Sequence, residues 1–123
     1  MIVGVGIDIV TLDEFRAGLS DALVRELFLP DEIAYAASRA RPWESYAARF
    51  AAKEATMKAL GAGLSQSVAW KDIEVLRGSA GDLDLRFAGR ALDLARAKGV
   101  TRSWVSVAHS GAAATAVVVL EAA

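Results

Sequence analysis

The chain opens on a β-branched apolar run, residues 2–10, broken only by two glycines and by Asp8, and this pattern predicts a strand. Thr11, Leu12, Asp13 and Glu14 read as a capping box, so a helix is expected from Leu12. Ser20 and Asp21 suit the cap of a second short helix. Pro30, Asp31 and Glu32 suit the first turn of a third, ending near Ala40. Pro42 precedes a long alanine-rich helix, 43–60, stopped by Gly61 and Gly63. Residues 64–70 are expected to form a loop. Apolar alternation over 72–77 and 83–87 predicts two strands joined by a hairpin connection at 78–82. A further helix is expected over 88–98, with Gly99 at its C′ position. Residues 103–109 and 115–120 predict a closing pair of strands. With strands at both ends and the longest helix between them, the pattern is α+β: a mostly antiparallel sheet packed on a long central helix. The absence of linkers, repeats and low-complexity tracts predicts one domain, 1–123.

Composition sharpens this picture. Alanine supplies 26 of the 123 residues, while aromatics are only 7%. Such a core favours close approach of elements over bulky layers. The net charge of −1 offers no global basic field, and no nucleic-acid partner is expected. The lack of cysteine excludes thiolate chemistry and disulfides. No apolar run reaches the roughly 18 residues of a membrane span, and the N-terminus lacks the basic region of a signal peptide. No membrane is therefore expected, and the expected location is cytoplasmic.

Asp8 is the first chemical candidate. Strand parity groups it with Ile2, Gly4, Gly6 and Val10, so the two glycines leave a hollow beside a carboxylate. Either a ligand or a helix could approach closely there, or Asp8 could simply cap a turn. On the long helix, Ala47, Ala51, Glu54 and Lys58 share one stripe. Tyr46, Phe50 and Met57 share another, and Arg49 and Lys53 a third. Small residues around Glu54 and Lys58 imply a covered stripe, against the plainer reading of an exposed i,i+4 pair. Together Asp8 and Glu54 could hold Mg²⁺, with Arg49, Lys53 and Lys58 supplying charge for a polyphosphate. The lone histidine, His109, shares strand parity with Val105 and Val107, which favours a partly buried, hydrogen-bonded ring. The Gly61–Gly63 pair fits a helix C-cap better than a phosphate loop, because it follows a helix instead of opening one.

Three blocks, Val3-Gly-Val-Gly-Ile-Asp-Ile-Val10, Arg49-Phe-Ala-Ala-Lys-Glu-Ala55 with Lys58-Ala-Leu-Gly61, and Val105-Ser-Val-Ala-His-Ser110, together resemble the holo-acyl-carrier-protein synthase family of small trimeric 4′-phosphopantetheinyl transferases. The central block is the specific one, and the resemblance runs the whole length. It implies Mg²⁺-dependent transfer of phosphopantetheine from coenzyme A to a serine of an apo acyl carrier protein, releasing adenosine 3′,5′-bisphosphate. It implies Asp8 and Glu54 as metal ligands, Lys58 as the catalytic lysine near the pyrophosphate, and Arg49, Lys53, Lys58 and His109 as coenzyme A contacts; the serine proton would then go either to Glu54, as a second catalytic group, or to a metal-bound water. It also implies a homotrimer with its sites at subunit interfaces.

Three positions depart from the family pattern. Glu14 stands where a carrier-docking arginine is usual, with Arg16 as the nearby alternative. The Gly-Lys-Pro hairpin signature is reduced to Gly81-Asp82-Leu83, and Ala62 replaces a threonine. The acidic segment 12–28 leaves a second reading open, a non-catalytic carrier-protein-binding module of the same fold.

Overall fold

Alanine and glycine decide how the layers meet. The computed structural model describes residues 1–62 and 67–123. Along the chain come β1 (Ile2–Thr11), α1 (Leu12–Gly18), α2 (Asp21–Leu27), α3 (Pro30–Ala37), α4 (Pro42–Leu60), β2 (Ile73–Arg77), β3 (Leu83–Phe87), α5 (Gly89–Ala97), β4 (Val100–His109) and β5 (Ala113–Ala122). A 3₁₀ turn, Trp70–Asp72, precedes β2. The α+β class holds, with two antiparallel sheets among the described residues, β1-β5-β4 and β2-β3.

Helix α4 is buried nearly all round, as a central helix must be. Pro42 starts it at a position where the missing N–H costs nothing, and Gly61 ends it in the left-handed conformation at φ 73°. Its alanines 47, 51, 52 and 55 are fully buried. The hollow foreseen beside Asp8 is filled by this helix. A Cβ on Gly6 would overlap the carbonyl oxygen of Ala55, and one on Gly4 that of Ala59. Strand β1 thus lies directly on the helix backbone.

The sheet register then sets the site. Asp8 pairs with Ala116 of β5, which pairs in turn with Val107 of β4; His109 pairs with Ala114. Asp8 and His109 therefore lie on the two edge strands, about 10 Å apart by strand spacing alone, with β5 between them. The opposite face of this sheet stays apolar and open. Val5, Ile7 and Ile9 are 58%, 67% and 68% exposed, and Trp104 is 48% exposed.

Several expectations need correction. Helix α1 starts at Leu12 as expected, but Thr11 makes no side-chain cap bond. Ser20 does cap α2, its hydroxyl accepting from Leu23 N at 3.1 Å. Helix α3 stops at Ala37, short of Ala40, where the chain turns towards Pro42. Asp72 closes the 3₁₀ turn instead of opening a strand. Gly63 and residues 64–66, expected as helix stop and loop, lie outside the described residues.

Candidate active site

Strand β1 and helix α4 bring three of the expected residues together. Asp8 and Glu54 line one groove, with Thr11, Glu14, Phe15 and Phe50. The Lys58 ammonium donates to Asp8 Oδ1 at 3.1 Å and to the carbonyl of Ile7 at 3.0 Å. An ammonium has three protons, so one remains for a ligand, and the lysine side chain is 55% exposed. Burial raises the Glu54 pKa above its ordinary value, the Asp8 charge raises it further, and Lys58 opposes both.

Two carboxylates crowded in this way suit a hard cation, which would relieve their repulsion. Among the described residues no third His, Asp or Glu completes a metal cluster. That donor set fits Mg²⁺, which takes one or two carboxylates and completes its octahedron with water and phosphate oxygens.

Arg49 and His109 lie elsewhere. They line a cavity of about 360 Å³ on the other flank of α4. The separation follows from helical phase, since five residues from Arg49 to Glu54 turn the direction by about 140°. Sequence reasoning missed three further bases there, Arg39, Arg41 and Arg77. Their only signal in the sequence was the excess of Arg over Lys. The guanidiniums of Arg39, Arg49 and Arg77 all gather over the ring of Tyr35, Arg49 closest at 4.4 Å. Arg49 is 5% exposed; its Nη1 donates to Ser45 Oγ at 3.0 Å, and its Nε is buried without a partner. Burial lowers the Arg49 pKa, opposed by Glu32 and Tyr35, while Arg77 adds to the lowering. An anion in this cavity would offset that cost. His109 is exposed at the end of β4, contrary to the partly buried ring that strand parity favours. It ends the sheet where Val107 still faces the core, so its ring faces the cavity.

Lys53 does not join either cluster. It is fully buried, and its ammonium donates to Glu32 Oε1 at 2.9 Å and to the carbonyls of Ile73 at 2.6 Å and Trp70 at 3.2 Å. All three protons are used, so the expected contact with coenzyme A is corrected to a structural role. Glu32 also accepts from Leu29 N and Val75 N, which ties α3, α4 and β2 into one polar knot.

The comparisons agree with one another. The family model of the 4′-phosphopantetheinyl transferase superfamily matches residues 4–117. A holo-[acyl-carrier-protein] synthase of Geobacter sulfurreducens is 45% identical, covering 98% of each chain. The crystal structure of a holo-[acyl-carrier-protein] synthase from Neisseria meningitidis superposes with a TM-score of 0.87 at 27% identity, over 98% of this chain and 99% of that one. One from Bacillus anthracis, in complex with CoA (3′,5′-ADP), gives 0.83 at 34% identity, over 100% of this chain and 99% of that one.

Proposed function

The chain belongs to the 4′-phosphopantetheinyl transferase superfamily, and from that premise we propose how its residues carry 4′-phosphopantetheine from coenzyme A to a serine of an apo acyl carrier protein. The activity itself is that of its holo-[acyl-carrier-protein] synthase relatives. The assignment of roles rests on one observation: Asp8 and Glu54 line one groove and Lys58 bonds Asp8, all on two elements that glycine holds in backbone contact.

Asp8 and Glu54 would hold Mg²⁺, which when bound supplies positive charge to the pyrophosphate of coenzyme A. Lys58 donates a hydrogen bond from its remaining N–H to a phosphate oxygen and, staying charged, stabilises the departing adenosine 3′,5′-bisphosphate. The acceptor serine attacks the phosphorus bonded to the pantetheine arm, and its hydroxyl proton must leave as that bond forms. Glu54 is one carboxylate of the groove that can take it, Asp8 and Glu14 being the others this chain places there. Arg49 and His109, with Arg39, Arg41 and Arg77, hold the phosphate and nucleotide end. The buried Nε of Arg49 is a donor that a phosphate oxygen would satisfy.

The two clusters occupy different cavities of one chain. A coenzyme A that uses both is best served by a neighbouring copy, and the open apolar sheet face is a surface for that copy. A homotrimer closed through Val5, Ile7, Ile9 and Trp104 is part of this reading, and so is a cytoplasmic location. Among the described residues no helix is long and apolar enough to cross a membrane.

The reading is tested by incubating the protein with apo carrier protein, coenzyme A and Mg²⁺ and following the phosphopantetheine adduct by mass spectrometry. Asp8→Asn or Glu54→Gln is expected to lower turnover by about a hundredfold or more, as loss of a key electrostatic group does, with the fold intact. Near-wild-type turnover of either variant in saturating Mg²⁺ overturns the assignment. A protein that binds carrier but yields no adduct under any condition is instead the non-catalytic module.

A further inference from the structure

Lys58 stands on the same carboxylate that a metal would use. Its ammonium bonds Asp8 Oδ1 at 3.1 Å and the main-chain carbonyl of Ile7 at 3.0 Å. The second bond is to backbone, so it keeps the ammonium beside Asp8 even when the carboxylate turns to another partner. Gly4 and Gly6 seat β1 on the backbone of α4, so the strand carbonyl and the helix lysine keep one spacing.

Few other charges act here. The Asp8 side chain is 16% exposed, Glu54 is half-buried across the groove, and Glu14 is exposed at its edge. Among the described residues no Lys, Arg or His lines this groove, and Lys58 reaches it through Asp8. A divalent cation on Asp8 therefore shares a carboxylate with an ammonium, and two cations on one carboxylate repel. A cation that arrives with phosphate oxygens meets less of that repulsion. The phosphate brings negative charge to both cations and takes the third N–H of Lys58.

We infer that Lys58 makes metal binding conditional on the pyrophosphate: by holding Asp8 it weakens the site for a divalent cation alone, and coenzyme A restores it. Metal and coenzyme A then bind cooperatively, and each tightens the other by the same factor. This role is separate from the stabilisation of the leaving phosphate. It rests on the transferase reading of Asp8 and Glu54, but it is tested by binding without turnover.

Mn²⁺ serves as the probe, since carboxylate and water suit it as they suit Mg²⁺. Free Mn²⁺ is counted by electron paramagnetic resonance in titrations with and without coenzyme A, no carrier protein being present. At about 0.02 M salt, Lys58→Met is expected to bind Mn²⁺ alone about tenfold more tightly than wild type, the gain shrinking below about threefold at about 0.3 M. Coenzyme A is expected to tighten Mn²⁺ about tenfold more in wild type than in Lys58→Met. Lys58→Gln, equally neutral, should match Lys58→Met, and Lys58→Arg, which keeps the charge, should stay within about twofold of wild type. The lysine side chain is 55% exposed, circular dichroism verifies folding, and either neutral variant carries the test alone. Neutral variants that bind Mn²⁺ alone no better than wild type, or an equal effect of coenzyme A in wild type and Lys58→Met, overturn the inference and leave the metal assignment standing. Mn²⁺ binding that neither Asp8→Asn nor Glu54→Gln weakens overturns both.

Discussion

Each carboxylate and amine in the groove feels its neighbours, and the signs can be worked out at Glu54. Asp8 raises its pKa and Lys58 lowers it. In the metal-free protein, Asp8→Asn is expected to move the Glu54 midpoint down and Lys58→Ala to move it up, read from the side-chain carboxyl signal by NMR. Equal midpoints in all three proteins would show that the charges do not share one groove. Because the folded pKa is raised, this group's contribution to stability is full below the ordinary carboxylate value and is lost as pH rises through the folded pKa. Lys53 behaves in the opposite functional sense, since it touches only protein. Lys53→Met leaves Glu32 buried and unpaired, and unfolding by urea is expected to lose about 3–5 kcal/mol. Coenzyme A affinity of the folded variant, measured by calorimetry, should stay within about twofold, a change too small for a lost phosphate contact. Loss of affinity at unchanged stability would return Lys53 to the ligand site. The meeting of Asp8, Glu54 and Lys58 was only partly legible: a carboxylate in an apolar strand stands out, but the stripe expected to be covered leaves Lys58 55% exposed, with its ammonium on Asp8, and the family resemblance alone joined the three. Lys53 was misread because its partner Glu32 lies in another helix, and no local spacing signals that pairing. His109 was misjudged from parity because its strand ends there.

The elements were largely legible from period and punctuation. Pro42 and Gly61 bracket α4, and Gly99, at φ 71°, follows α5 as foreseen. What parity could not settle was whether ligand or helix fills the hollow at Gly4 and Gly6, since both need the same absence of a side chain. Backbone contact between β1 and α4 fixes Asp8 relative to Glu54, so packing and chemistry are coupled there. Gly6→Ala would drive a methyl into the Ala55 carbonyl and is expected to cost about 3 kcal/mol or more, with activity falling further than the folded fraction. Gly111→Ala, where a Cβ meets nothing within 4 Å, should be close to neutral. Comparing thermal unfolding and specific activity of the two variants checks this. Equal losses in both would mean that strand β1 can lift from α4 without cost.

For the whole molecule, the division of the candidate residues between two cavities is the feature with the most consequence. Asp8, Glu54 and Lys58 lie at one flank of α4 and Arg49 and His109 at the other, with β5 between the strands that carry Asp8 and His109. A single sequence carries no record of which flank meets which copy, so only the family resemblance pointed to a shared site. The apolar outer face of β1, β5 and β4 would give such an assembly its physical cause, because more than half of Val5, Ile7 and Ile9 faces water in the single chain. If each site combines one subunit's Asp8 groove with its neighbour's Arg49 cavity, two inactive variants can repair each other. Asp8→Asn and Arg49→Ala, each expected to be nearly inactive alone, should regain about a quarter of wild-type turnover when co-expressed in equal amounts, since each half of a site is then intact half the time. Ile7→Asp, introduced into both, should abolish the rescue and yield monomers by light scattering. A co-expressed mixture no more active than its parents would mean that each chain builds its site alone.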